Sequence, residues 1–404
     1  MSQSGQRGAA TGRQEPAQLE GSSIAAPQNS RLSMLGERSA QTARVLDRLM
    51  RITVRLLPLA YLDGEFAFTM LATKGPKGEW RTARASSSLR YTAITALGIQ
   101  HLDEETQRLI LHGETVHDLV GRLIKRLDTV NNVGDAALVC WVAGDIGHSD
   151  LPLTIERLRT LDHSDSTDVV AAAWVVSALV AVRNEIDVEP YLAAARSRLL
   201  DARRSALYPH VTNGNAHWYR AHIGSFADQV YPVQALARLH LSSDDPQALS
   251  VAQAVTDAIC AAQGDAGQWW WHYDSRTGRV VEQYPVYSVH QHSMAPMALM
   301  DLGDAGGEAH FDAISMGLEW LEKRPEIDED LLLEEPPITW RKVARSDPHK
   351  LVRASRAMAT RINSNMHLRA LDRIYPPTAI DRECRPYELG WLLQTWLSVL
   401  PRIP

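Results

Sequence analysis

Cysteine is scarce in this chain of 404 residues. The three cysteines, Cys140, Cys260 and Cys384, lie far apart and form no CxxC pair. Cysteines spaced in this way provide neither a disulfide framework nor a zinc ribbon. A reducing compartment fits this usage best, and we expect a cytoplasmic protein.

Three other features are missing, and each excludes a class of function. No apolar run of about 18 residues or more occurs, so no segment is predicted to span a membrane. The net charge is −6, which leaves no basic surface for nucleic acid. No HExxH motif is present, and His290 and His292 are two positions apart, so they point to different sides of a helix. We therefore expect no metal and no cofactor, while the oligomeric state stays open.

The composition that remains is that of a globular protein, with 45% hydrophobic and 22% charged residues. Residues 1–30 are rich in Gln, Ser, Gly and Ala and contain no apolar core segment. This stretch is predicted to be a disordered tail and not a signal peptide. Residues 31–404 are then expected to form a single domain.

After the tail, the hydrophobic pattern predicts helix almost throughout, with a loop at Gly75 to Ala85 and no convincing strands. Helices that are apolar all round alternate with helices that carry one apolar stripe. The first kind must be buried, and the second lies at the surface. The predicted inner helices begin near Leu89, Asp135, Asp168, Asp228, Val286 and Tyr387.

Six inner helices, each paired with an outer one, predict an all-α fold, an (α/α)6 toroid of helical hairpins. An open solenoid shares the alternation but shows a more regular repeat. An internal repeat supports the hairpins. Asp228 to Val233 and Glu282 to Val286 both read acid-Gln, then Tyr-Pro-Val, ahead of an apolar helix. Proline is suited to the first turn of a helix, and both copies place it there.

Two resemblances point to the same architecture. Gln263 to Trp269 fits Q-x-x-x-G-x-W and resembles the QW motif of squalene-hopene cyclase and prenyltransferase toroids. The catalytic D-x-D-D of the cyclases is absent, since Asp165 to Asp168 reads Asp-Ser-Thr-Asp. The toroid is also similar to that of glycan-processing enzymes, namely six-hairpin glycosidases, polysaccharide lyases and uronyl epimerases. Asn213 to Tyr219 loosely resembles the Asn-Asn-His-x-Tyr-Trp stretch of toroidal alginate lyases.

Candidate site residues come from two sources. One is the aromatic stretch around Trp269 to His292, because rings provide stacking surface and polar tips orient a ligand. The other is the first turn of each inner helix, because a toroid points these ends into a shared cavity. The predicted substrate-binding residues are Arg90, Tyr91, His217, Trp218, Trp270, Trp271, Tyr273, Tyr284, His292 and Tyr387.

These features favour a carbohydrate-active enzyme acting on a small-molecule or oligosaccharide substrate. Hydrolysis would use two carboxylates, Asp135 or Asp168 with Glu388. Proton abstraction at a uronate, as in a lyase or an epimerase, would use His290 or Tyr287 as base. Two other functions stay open. A terpene cyclase or prenyl-binding toroid is opposed by the missing D-x-D-D and by only four phenylalanines. A non-catalytic glycan-binding or scaffold toroid is the other.

Overall fold

The computed structural model describes residues 30–163, 167–213, 218–346, 350–366 and 368–399. Most of these residues are helical. The α-helices are α1 Arg31–Arg38, α2 Ala40–Ala60, α3 Leu89–Ile99, α4 Glu104–Ile110, α5 Val116–Lys125, α6 Val133–Asp145, α7 Leu151–Leu161, α8 Val169–Val182, α9 Glu189–Ala202, α10 Ala227–Ser243, α11 Pro246–Ala261, α12 Ala295–Asp304, α13 Phe311–Lys323, α14 Lys350–Ile362, α15 Arg369–Ile374 and α16 Pro386–Leu397.

Six of these helices form a closed inner ring. In order, α3, α6, α8, α10, α12 and α16 each pack on the next, and α16 packs back on α3. The outer layer consists of α2, α5, α7, α9, α11 and α13, each packed on the ring. The toroid and its six inner helices are therefore confirmed. Among the described residues, no helix is both long and apolar enough to cross a membrane.

Sequence explains which helices lie inside. α8, VVAAAWVVSALVAV, has no charged residue and is buried on nearly every side. α5 carries one apolar stripe and begins with a capping box between Thr115 and Asp118, as expected of a surface helix. The ring closes where α3 meets α16 through glycine. A Cβ atom at Gly98 would lie 2.2 Å from the carbonyl oxygen of Gly390, so no larger residue fits there.

Short strands are added to the helical ring. They are β1 Tyr61–Leu62, β2 Glu65–Lys74, β3 Trp80–Ser87, β4 Ile223–Ser225, β5 His272–Asp274, β6 Val280–Glu282, β7 Val286–Tyr287, β8 Leu332–Leu333, β9 Ile338–Thr339, β10 Lys342–Ala344, β11 Ala379–Asp381 and β12 Glu383–Cys384.

The β2–β3 hairpin corrects the loop predicted at Gly75 to Ala85. β3 pairs antiparallel with β2 from Lys74 opposite Trp80 to Ala67 opposite Ser87. The loop prediction was wrong because β3, WRTARASS, has little apolar character and leaves most of its residues exposed or half-buried. Its partner β2 carries the buried face of the hairpin.

Every strand lies on a connection that leads from an outer helix into an inner one. The inner helices begin at a common end, where Tyr91 of α3 and Tyr387 of α16 have ring centroids 4.4 Å apart. At the same end Arg90 of α3 bonds Asp135 of α6. We call this end of the ring the ring mouth. The predicted polar first turns therefore do meet at one place.

The helix predicted from Val286 to Leu302 begins differently. Val286 and Tyr287 form strand β7, and a π-helical turn, His290–Met294, precedes α12. Pro296 has no N–H to donate to the carbonyl of His292, as expected for a residue that opens the backbone there. The indole Nε1 of Trp396 in α16 donates to that carbonyl instead, at 2.7 Å. The freed acceptor is thus satisfied by the neighbouring inner helix.

The two copies of the proposed internal repeat adopt different structures, so their equivalence was wrong. Pro232 lies well inside α10, one turn beyond its start. Pro285 precedes strand β7 and is outside any helix. The similarity of the two segments is confined to their residue order.

The N-terminal segment is anchored to the end of the ring. Ser30 caps α1 and forms a backbone bridge with Val399. The buried guanidinium of Arg31 pairs with Asp301 and Asp304 of α12. The rest of the predicted tail, residues 1–29, lies outside the described residues.

We expect Arg31→Ala to destabilise the fold by about 3 kcal/mol or more, because it leaves two carboxylates unpaired in a buried site. Urea unfolding followed by circular dichroism measures this change. The matched control is Arg51→Ala, whose partners Asp47 and Glu334 are largely exposed, and we expect a loss below about 1 kcal/mol. Equal losses for the two variants would contradict the anchoring role of Arg31.

Candidate active site

The ring mouth collects polar side chains from the inner helices. Because the bodies of these helices are buried, charged residues are accommodated where the helices begin. Around the ring these residues are Arg90 and Tyr91 on α3, Asp135 on α6, Asp168 immediately before α8, Asp228 on α10, and Tyr387 and Glu388 on α16.

Glu388 is the most unusual of these groups. It is 1% exposed, and neither carboxylate oxygen has a hydrogen-bond partner among the described residues. Burial raises the pKa of Glu388 to about 8, although the charges of Arg341 and Arg385 oppose that rise. The side chain is therefore protonated over most of the neutral range. A neutral carboxylic acid in this position can donate a proton.

Two arginines, Arg341 and Arg385, lie near Glu388, and both pair with Glu383. Arg385 donates to the hydroxyl of Tyr91 at 2.8 Å and pairs with Glu383 at 2.8 Å. Arg341 pairs with Glu383 at 3.3 Å, and its guanidinium lies 5.2 Å from the centroid of the Tyr287 ring. Both guanidiniums are partly buried, so their interaction with an anion at the mouth is weakly screened.

Tyrosines form one wall of the mouth. The ring of Tyr91 stacks on Phe68 at 5.1 Å and contacts Tyr387 on its other side. Burial raises the pKa of Tyr387 well above its ordinary value, and the nearby Glu388 raises it further. The pKa of Tyr91 is also raised, by burial. Both phenols are thus hydrogen-bond donors at neutral pH.

The charge of Asp135 is balanced by a neighbouring guanidinium, that of Arg90. Arg90 Nε donates to one carboxylate oxygen of Asp135 at 2.5 Å. The same guanidinium reaches Asn132, the N-cap of α6, at 3.1 Å. This pair connects the starts of α3 and α6 and leaves Asp135 with a cation of its own.

Asp168 takes part in a different arrangement, around His210. The imidazole Nδ1 of His210 lies 3.3 Å from both oxygens of the buried Asp228, and Nε2 lies 3.7 Å from Asp168. The hydrogen bond to Asp228 raises the pKa of His210 to about 9, and the charges of both aspartates add to this rise. The side chain of Asp168 is 60% exposed. A water molecule or a substrate can therefore reach its carboxylate.

The aromatic stretch is more buried than the sequence indicated. Tyr273 is fully buried near Phe226, and Trp270 is buried edge-on against Tyr284. The hydroxyl of Tyr284 donates to Glu326 at 2.7 Å. These three rings belong to the core around the mouth, and a sugar cannot stack on them without rearrangement.

Two rings of the stretch keep accessible surface. Trp271 is half-buried, with the guanidinium of Arg353 4.5 Å from its ring centroid. Tyr287 is half-buried, with Arg341 on one side and Lys342 5.2 Å away. Burial raises the pKa of the Tyr287 phenol, while the nearby arginines oppose the rise.

The two histidines occupy different depths. His290 lies between Phe226 and Tyr287, at 4.6 Å and 4.8 Å, and is the one beside the mouth. His292 lies deeper, with Nδ1 2.6 Å from the hydroxyl of Ser293. Burial lowers the pKa of each imidazole to about 3. Both are neutral and weakly basic, which makes either a poor general base.

Three other predicted features lie away from the mouth or outside the described residues. Trp218 is 63% exposed in a short turn, with Arg361 over its ring. His217, Asp165 and Ser166 lie outside the described residues.

The segment that fits the QW pattern has a structural role. Gln263 Nε2 donates to the carbonyls of Gly267 and Ala313, at 3.0 Å and 2.9 Å, and Trp269 is fully buried. These contacts attach the α11–β5 connection to α13.

Arg341, Lys342 and His210 were not predicted from the sequence. Lys342 stands opposite Tyr287 because strands β7 and β10 pair, which joins segments more than 50 residues apart. No local sequence pattern predicts such a long-range strand pairing. Within the described residues, no cluster of three or more His, Cys, Asp or Glu side chains could hold a metal ion.

Comparison with known proteins adds evidence on the fold. No family model matches the chain, and no curated protein matches it. Among solved structures, an unsaturated glucuronyl hydrolase specific for heparin matches at a TM-score of 0.55 and 11% identity, covering 88% of this chain and 95% of its own. An unsaturated glucuronyl hydrolase from Streptococcus agalactiae matches at 0.51 and 10%, covering 93% and 95%. The fold is that of these toroids. At such low identity the likeness speaks for the fold alone.

The pKa of Glu388 makes stability depend on pH. Below about pH 4.5 the carboxyl is protonated in both the folded and the unfolded chain, so its ionisation does not change the free energy of unfolding. Between about pH 4.5 and 8 it ionises only in the unfolded chain, so the folded state loses stability as pH rises. We therefore expect the free energy of unfolding of Glu388→Gln, measured relative to that of the native chain, to increase from pH 5 to pH 9.

Urea unfolding at both pH values measures this difference. The control is Glu329→Gln, whose exposed carboxylate pairs with Arg382 and should give a small difference that barely changes with pH. An E388Q difference that stays constant between pH 5 and pH 9 would show that Glu388 is ionised in the folded protein.

Proposed function

We propose that this protein is a glycoside hydrolase that binds an anionic, uronate-bearing saccharide at the ring mouth. The observation that carries the proposal concerns Glu388, a buried acid that lies near Arg341 and Arg385. Within the described part of the chain, its carboxyl group has no hydrogen-bond partner. Buried unpaired acids are costly, and they are most often found where catalysis needs them. The fold supports the same class, because the structural neighbours reported above are hydrolases of unsaturated glucuronyl groups.

Each group at the mouth has a role in this proposal. Arg341 and Arg385 bind the carboxylate of the sugar, which suits the planar guanidinium. The phenols of Tyr91 and Tyr387 donate hydrogen bonds to sugar hydroxyls. Glu388 donates its proton to the glycosidic oxygen as the bond to the anomeric carbon breaks. A water oxygen forms the new bond to that carbon and passes its proton to a carboxylate.

Asp168 is our choice for the carboxylate that accepts the proton. Asp135 is less suitable, because the close contact with Arg90 holds it as a charged partner. Asp168 is exposed, and its neighbour His210 is held in place by Asp228. In this scheme His210, whose Nε2 lies 3.7 Å from Asp168, orients that carboxylate toward the mouth.

A second reaction is favoured by the position of Tyr287. The guanidinium of Arg341 and the ammonium of Lys342 each lie 5.2 Å from the centroid of its ring. The charge of Arg341 opposes the rise that burial causes in the pKa of the phenol. Tyr287 could then remove the proton at C5 of a uronate, giving elimination or epimerisation. The two other functions suggested by the sequence receive less support. A mouth lined by arginines and carboxylates does not suit an isoprenoid, and a scaffold has no need of an unpaired buried acid.

Turnover of uronate-terminated disaccharides tests the proposal. We expect Glu388→Gln to lower kcat by about 10²- to 10⁴-fold, the usual contribution of a general acid. The fold should persist, because Gln keeps the shape of Glu. Glu329→Gln serves as the control with native kcat. A variant E388Q that is folded and fully active would exclude Glu388 as the acid.

The products distinguish the two reactions. Hydrolysis releases a new reducing end, elimination creates a C4–C5 double bond, and epimerisation in heavy water places deuterium at C5. Loss of activity in Tyr287→Phe, with native activity in Glu388→Gln, would favour the second reaction.

A separate measurement examines the sugar carboxylate. We expect Arg341→Gln to raise KM for a uronate substrate by about tenfold or more while affecting a neutral analogue little, since a charged hydrogen bond contributes about 1.5–3 kcal/mol. Arg238→Gln, at the opposite end of the ring beside Asp145, is the control for general effects of removing a guanidinium. Equal changes for the charged and neutral substrates would contradict carboxylate recognition by Arg341.

A further inference from the structure

A cavity of about 260 Å³ lies outside the ring mouth, between strand β6 and helices α14 and α15. Its polar lining consists of Glu282, Gln283, Arg345, Arg356, Thr360 and Asp372. A second cavity of about 280 Å³ adjoins it, and Glu282 and Arg345 line both. The two cavities therefore form one polar groove that is divided by these two side chains.

The groove has an excess of cationic groups. Its second part adds Lys342, Arg353 and Asp381. Lys342 and Asp381 neutralise each other at 2.6 Å. Three guanidiniums are then left to face two carboxylates, those of Glu282 and Asp372. An electropositive groove of this size attracts small anions.

Two of these guanidiniums converge on one atom. Arg345 and Arg356 lie 2.6 Å and 3.0 Å from the same oxygen of Asp372, Oδ1. Their side chains are each 7% exposed. The Nε of Arg345 is buried with no hydrogen-bond partner among the described residues. Burial lowers the pKa of Arg345, and the charge of Arg356 lowers it further. Arg356 also pairs with Glu282 at 3.2 Å, and Arg345 donates to the carbonyl of Tyr375 at 3.3 Å. The Nε of Arg345 is therefore the buried donor that an added oxyanion would satisfy.

Asp372 is the solvent-exposed member of this cluster. Its side chain is 45% exposed, although the two arginines that it contacts are buried. It lies on α15, a helix of six residues whose neighbouring Arg373 and Ile374 are exposed. A carboxylate from solvent could take the place of Asp372 without disturbing the buried guanidiniums.

We propose that Arg345 and Arg356 form an oxyanion-binding site, in which Asp372 is an internal occupant that an external carboxylate, sulfate or phosphate displaces. The site is independent of the proposed reaction, because an oxyanion binds there whether or not the ring mouth is catalytic. The shared chemistry is a planar or tetrahedral oxyanion that accepts several N–H donors at once. The source is either a free inorganic anion or a charged substituent on a saccharide.

Isothermal titration of the full-length protein with sulfate, phosphate and glucuronate tests the site, with sodium chloride holding the ionic strength constant. We expect a dissociation constant on the order of 1 mM for at least one of these anions. Asp372→Asn should tighten it about tenfold or more, because the competing internal carboxylate is removed. Arg345→Gln should weaken it by a similar factor.

Arg373→Gln is the matched control, because Arg373 is adjacent to Asp372 but exposed, and we expect native affinity. If Arg345→Gln does not fold, Arg345→Lys replaces it and should also weaken binding, since lysine lacks the guanidinium fork. Equal binding of all three anions assigns the site to free anions, and binding of glucuronate alone assigns it to a sugar substituent. Absence of binding, no gain in D372N, or native binding in the Arg345 variant would each overturn the proposal.

Discussion

The inner helices are covered on every side by other helices, and the rest of the structure depends on that burial. A helix surrounded in this way cannot carry charged groups along its length without a large desolvation cost. Polar residues are therefore concentrated at the ends, and the parallel arrangement of six such helices brings the starts of all of them to one mouth. The chemistry of the site is thus a consequence of the same constraint that makes α8 uniformly apolar. The glycine contact between α3 and α16 closes the ring and sets the spacing of Tyr91, Tyr387 and Glu388.

Electrostatics at the mouth follows from the ring and from its added strands together. The ring provides Glu388, which is buried and has no hydrogen-bond partner among the residues that the structure describes. Strand β10 provides Lys342, and Arg341 immediately precedes it; both reach the mouth because β10 pairs with β7. The result is a neutral acid beside fixed positive charge, an arrangement that favours a negatively charged ligand and proton donation to it. Asp168 and His210 add polar groups from the connections that lead into α8 and α10.

The sequence predicted the parts of this structure that depend on periodicity. Apolar helices alternate with striped helices, so the ring and its six inner helices could be inferred. Long-range pairing could not be predicted, because β3 has no apolar alternation and β10 has no local feature that indicates β7 as its partner. For the same reason Arg341, Lys342 and His210 were missed. The aromatic stretch shows a further limit. Its composition suits a binding surface, yet Trp270 and Tyr273 pack into the core. Their burial depends on the residues packed around them in the fold, which composition does not reveal.

The proposed reaction requires Glu388 to be a protonated carboxylic acid in the folded protein at neutral pH. Infrared difference spectroscopy tests it directly, because a protonated carboxyl and a carboxylate have separate C=O stretching bands. The native protein should show a carboxylic acid band at pH 7 that is absent from Glu388→Gln and disappears as pH rises through about 8. A spectrum at pH 6 in which this difference band is missing, with the corresponding carboxylate band present, would contradict the account.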